Sequence, residues 1–172
     1  MKTKFLPILL LIVLVSASCS NFKEEAKPLF KHLNQLFEAS QSKCEITQRV
    51  WYSAIYDRRY ALSNSDKFDD YYEPDFNTAI VRMEKEKSIL ILNTKIDSLK
   101  SIVILEVEKI ADKKNESYDK LISLYTNVIE LSKIARNPTG NLQSYSNDID
   151  SREKDISSLV TELQARNPEF GK

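Results

Sequence analysis

The sequence predicts an all-α protein, an elongated up-down bundle of three to four long helices with coiled-coil-like packing. Three observations predict it. Glycine is nearly absent, with only Gly140 and Gly171, while 29% of the chain is charged; such a composition favours long helices over sheets. Apolar residues recur at alternating spacings of four and three, the mark of a packed helix seam. Two Asn-Pro pairs, Asn137-Pro138 and Asn167-Pro168, end helical stretches, because proline cannot continue the hydrogen-bond ladder.

The first helix is read over 23–62. Asn21 suits its N-cap, Glu24 and Glu25 suit the first turn, and Pro28 still lies near the start. Its seam runs Leu33, Phe37, Ser40, Cys44, Thr47, Trp51, Ala54, Arg58 and Ala61, small and partly polar in the middle. A neighbour must approach closely there or supply bulk. Ser63-Asn64-Ser65-Asp66 then favours a loop, because short polar side chains compete for backbone hydrogen bonds.

Pro74 and a capping Asp75 open the second helix, read over 75–114. Its stripe is Ile89, Leu92, Ile96, Leu99, Val103 and Ile110. Leu90, Ile91, Ile102, Ile104, Leu105 and Val107 make its middle apolar nearly all round. A helix of that kind is expected at the centre of a bundle, covered on several sides. A turn is expected near Asn115-Glu116. The third helix covers 117–136 and stops at Asn137-Pro138-Thr139-Gly140. The fourth covers 142–166 and stops at Asn167-Pro168. Ala-Arg-Asn-Pro occurs twice, at 135–138 and 165–168. The segments before it align poorly, so it reads as one stop signal used twice.

The N-terminus reads as an address. Lys2 and Lys4 precede an apolar run from Phe5 to Val15, followed by Ser16-Ala17-Ser18-Cys19. The run is far shorter than the about 20 residues needed to span a bilayer and matches a signal-peptide core. The segment resembles a bacterial lipoprotein signal. That resemblance implies cleavage after residue 18, diacylation of Cys19 and N-acylation, as with palmitate. Ala17 and Ser18 fit the small positions of such a signal; Ser16 stands where leucine is usual. The resemblance covers about the first twenty residues and carries nothing about the rest. It implies a signal peptide at 1–18, a lipidated tether at 19–22 and a helical domain at 23–172. The protein would be exported and anchored to a bacterial membrane. Ser20 after the cysteine points to the outer membrane in a double-membraned cell. Ser16 and Ser18 also suit an ordinary small-x-small cut, which would release a soluble helical factor.

Charge and residue types exclude several functions. Lysine plus arginine equals aspartate plus glutamate, 25 each, so no basic excess exists to neutralise nucleic-acid phosphates. With two glycines there is no phosphate-cradling loop. The single histidine, His32, and two cysteines give neither a zinc site nor a nucleophile–base pair. No catalytic, cofactor or metal residue is therefore assigned, and the chain reads as a non-enzyme. Asp66, Asp69, Asp70 and Glu73 are close enough for calcium but lack the glycine and spacing of an EF-hand. Cys44 reads as a small buried core residue, with an intermolecular disulfide as the alternative.

One region stands out as a partner surface. Tyr52, Tyr56, Arg59 and Tyr60 interleave near the end of the first helix, and Phe68, Tyr71 and Tyr72 follow in the loop. Tyrosine and arginine are the side chains that anchor interfaces. The expectation is a binding role toward a protein of the cell envelope, with this pole as the contact. Self-association through the helix seams, as a homo-oligomeric spacer, is the alternative. Arg152, a polar intruder in the fourth stripe, is expected to pair with Asp97 or Glu106.

Overall fold

The computed structural model describes residues 6–62, 75–111 and 113–171, with side chains from Phe22 onward. Among the described residues it is all-α, with five α-helices. These are α1 (Leu6–Tyr52), α2 (Phe76–Met83), α3 (Lys87–Val107), α4 (Tyr118–Arg136) and α5 (Leu142–Arg166). A π-helical turn, Ser53–Asp57, extends α1, and a 3-10 turn, Pro168–Gly171, follows α5. The bundle thus has five helices rather than three to four.

The long helices run up and down. Ala111 N–H donates to Glu25 Oε2, and His32 Nδ1 lies 2.8 Å from Glu106 Oε2. Lys43 pairs with Glu84 near the other end, so α3 is antiparallel to α1. Phe30 stacks on Phe170 at one end, and Trp51 meets Tyr145 edge-on at the other. That makes α5 antiparallel to α1 as well. Helices α1 and α4 each pack on both α3 and α5. They form the middle of the bundle, and α3 and α5 are its edges.

The main core follows the seams. Leu33, Leu36, Cys44 and Trp51 of α1 meet Ile96 and Val103 of α3, Leu124 and Val128 of α4, and Ile149 and Ile156 of α5. Burying each large aliphatic contributes about 1.5–3 kcal/mol. A second, smaller core of Val50, Ala54, Tyr60, Ala79, Met83 and Ile89 closes the α1 C-terminal end.

Several expectations about the helices need correction. Helix α1 runs continuously through residues 19–22, and Phe22 is fully buried in the main core. Asn21 accordingly lies inside a helix rather than capping one. The second helix is not one rod, because Glu84–Glu86 breaks it into α2 and α3. Met83 and Ile89, on either side of the break, both turn into the second core, and Glu84 is drawn to Lys43. Nor is α3 central. Leu90, Ile91 and Leu105 stand exposed on its outer side.

Arg152 pairs with neither expected carboxylate. Its guanidinium donates to Asn127 Oδ1 at 2.8 Å, while Arg136 holds Asp97 and His32 faces Glu106. The Asp75 cap follows expectation, its side chain accepting the Asn77 N–H. Asn141 with Ser144 forms a capping box on α5, which was not anticipated.

Candidate functional site

The end of α1 is where the chain departs from regular helix. The π turn Ser53–Asp57 inserts one residue per turn, and Arg58 follows in the left-handed region at φ 53 and ψ 38. The Arg59 N–H reaches back to the Ser53 carbonyl at 3.1 Å and closes the turn. A non-glycine residue there costs of order 1 kcal/mol or more, and π turns recur at functional sites because they re-aim side chains.

The re-aiming has a visible result. Tyr52 and Tyr56 are 54% and 66% exposed, their rings 4.6 Å apart between centroids. Ile55 and Arg58 are exposed beside them. A cleft of about 420 Å³ opens next to the pair, lined by Ala54, Ile55, Arg58, Phe76, Asn141 and Leu142. Three elements build it: the π turn, the start of α2 and the start of α5. Its walls are mainly apolar, with the Arg58 guanidinium and the Asn141 amide as polar groups. Trp51 lies behind Phe76, edge-on at 6.0 Å, and gives the cleft a rigid backing.

The expected surface residues divide. Tyr52, Tyr56 and Arg59 are exposed. Tyr60 is only 4% exposed and belongs to the second core. The Arg82 guanidinium sits 4.2 Å above its ring, so it supports the pole instead of facing a partner. Phe68, Tyr71 and Tyr72 lie outside the described residues, as does the carboxylate cluster Asp66, Asp69, Asp70 and Glu73. Cys19 lies in α1, upstream of the described side chains. Sequence reasoning missed Ile55, Phe76, Asn141 and Leu142 as cleft residues. Ile55 sits in a second apolar line of the first helix, and only the fold joins it to residues 76, 141 and 142.

A second polar cluster lies deep in the bundle. The Lys43 ammonium is fully buried and ion-paired with Glu84, whose other oxygen accepts from Asn93 Nδ2 at 2.8 Å. Burial holds the Lys43 ammonium below its ordinary range, opposed by the hydrogen bond it donates to Glu84. Beside it, burial pushes the Cys44 thiol up to about 12 and raises the Tyr145 phenol well above its ordinary value. The Thr47 hydroxyl donates to the Lys43 carbonyl. This cluster ties α1 to the α2–α3 break and opens to no cleft described above, so it reads as structural.

Among the described residues, no group of three or more His, Cys, Asp or Glu side chains is placed to hold a metal ion. Among them too, no helix is long and apolar enough to cross a membrane. Comparison of the chain with protein-family models, curated proteins and solved structures returns no match.

Proposed function

We propose that this is an exported bacterial lipoprotein, held by an acylated Cys19, with a non-enzymatic binding role toward a protein of the cell envelope. The contact is the pole at the end of α1. One observation carries the reading: an exposed Tyr52–Tyr56 pair flanks an apolar cleft with Arg58 at its edge. Exposed aromatics beside a pocket are the usual anchors of an interface. The fitting partner presents an apolar side chain for the cleft and a carboxylate for Arg58.

The geometry supports a display role. From Phe22 to Tyr52 helix α1 is unbroken, a rise of about 45 Å at 1.5 Å per residue. The cleft lies at the opposite end of that helix from the anchor. An anchor of two or three acyl chains holds a protein stably, where one chain does not.

The test is affinity capture from detergent-solubilised membranes. Native protein retains a discrete partner, and a variant carrying Tyr52→Ala, Ile55→Glu and Tyr56→Ala loses it while keeping its helical circular dichroism. Retention of the same partner by the folded variant would sink the proposal. Light scattering addresses the spacer alternative, which requires stable oligomers of the purified domain.

A further inference from the structure

The outer side of α3 carries more apolar surface than an edge helix needs. Ile91 and Leu105 are 62% and 59% exposed, and Leu90, Ile102 and Ile104 are exposed with them. At about 100° per residue, Lys87, Ile91, Lys95, Ser98, Ile102 and Leu105 fall on one outward strip of α3, and the exposed Lys109 follows in the turn after it. Lysines stand among and at the ends of its aliphatic residues, and it contains no carboxylate. The nearby acids face elsewhere: Glu84 binds Lys43, Asp97 binds Arg136 and Glu106 faces His32. Asp97, though paired, and Glu108 are exposed on the neighbouring side of the helix, off this strip.

We infer that this α3 face lies against the anionic bilayer that carries the anchor. The inference rests on the lipid anchor proposed above and adds an orientation to it. A helix face with aliphatic residues between lysines suits the headgroup boundary. The aliphatic side chains enter the acyl edge, and the lysines extend their ammonium groups to lipid phosphates. The charge argument selects this occupant over a second copy. Parallel pairing of α3 with another α3 would set Lys87, Lys95 and Lys109 against themselves. Antiparallel pairing would send the two anchors to opposite ends. On a bilayer the same lysines meet opposite charge. Because α1 is continuous and Phe22 is packed in the core three residues after Cys19, the domain cannot drift far from the surface. The bundle then lies along the membrane on α3, with the Tyr52–Tyr56 cleft displaced sideways from the anchor.

The experiment uses the acylated full chain in phosphatidylglycerol–phosphatidylethanolamine vesicles. A nitroxide is placed at Ile91→Cys, Leu105→Cys or, on exposed α5, Ser158→Cys. Cys44 is buried and escapes labelling. Collision with an aqueous nickel complex is expected to fall several-fold at 91 and 105 relative to 158. Collision with oxygen should rise there. Lys87→Gln, Lys95→Gln and Lys109→Gln together, or vesicles of phosphatidylcholine alone, should restore aqueous access at both positions. Equal aqueous access at all three positions on acylated protein would overturn the inference and leave the anchor standing. Dipolar broadening between labels of two copies would overturn it in favour of self-association. An unacylated Cys19, read by mass on the same sample, would remove the anchor itself and the inference with it.

Discussion

Lys43 is the side chain whose place in the bundle is hardest to sustain. Its ammonium is fully buried, and Glu84 is its ion-pair partner among the described residues. Breaking such a pair from one side leaves a buried charge uncompensated, at a cost of about 3–5 kcal/mol. Glu84→Gln should therefore lower unfolding free energy by roughly that amount. Lys43→Met, which removes the buried charge and leaves a part-exposed carboxylate, should cost distinctly less. Urea unfolding of the two variants checks the order; equal losses would contradict it. The adjacent Cys44 thiol makes a second prediction. Its folded value is raised from 9.0 to about 12, so the folded state keeps a proton that the unfolded chain has lost. The stability it contributes is present below pH 9 and drains away toward pH 12. Lys43 acts in the opposite sense, its lowered value adding stability as pH rises toward 10.5. Subtracting the pH profile of Cys44→Ala isolates the thiol: the native protein should lose ground to the variant from pH 9 upward. Alkylation of Cys44 in the folded protein should be far slower than in urea, because the nucleophile is the thiolate.

The elements differ in how they terminate, and this sets what the sequence alone can reveal. Helix α5 opens with a capping box and stops at Asn167-Pro168; both signals are local, and its bounds were legible. Asn141→Ala should cost about 1 kcal/mol. Gly140 precedes the cap at φ 86, where an added Cβ would stand 2.7 Å from Ser144 Oγ. Gly140→Ala should cost at least as much as the cap, measured by thermal unfolding. The α2–α3 break was not legible, since Glu84-Lys85-Glu86 contains no turn-forming residue. It arises from long-range demands, the Lys43–Glu84 pair and the turning of Met83 and Ile89 into one small core. The π turn was hidden for the same reason, as nothing in Ser-Ala-Ile-Tyr-Asp marks a widened helix. The apolar excess of α3 was visible. Its position at an edge was not, because the pattern of one helix does not reveal which neighbours cover it. Tyr52 and Tyr56 were legible as exposed residues, whereas Tyr60, drawn inward under Arg82, was not separable from them by spacing.

At the scale of the molecule, α1 is the organising rod. It packs on each of the other four helices and ends in the re-aimed turn that carries the exposed tyrosines. The proposed anchor at Cys19 and the cleft lie toward its two ends, so the proposed lipoprotein would display one pole at a set reach from its point of attachment. Cys19→Ala should release the protein from the membrane fraction or block its maturation, read by fractionation and intact mass; an unchanged membrane-bound product would argue against acylation at that residue. The central claim, that the α1 pole is the docking surface, is tested most directly by site-directed photo-cross-linking in intact cells. A photoreactive residue at Ile55 should give one discrete protein adduct, abolished by Tyr52→Ala with Tyr56→Ala. The same residue at Ser158 should give none. An adduct equally strong from Ser158, or one from Ile55 that survives loss of both tyrosines, would contradict the claim.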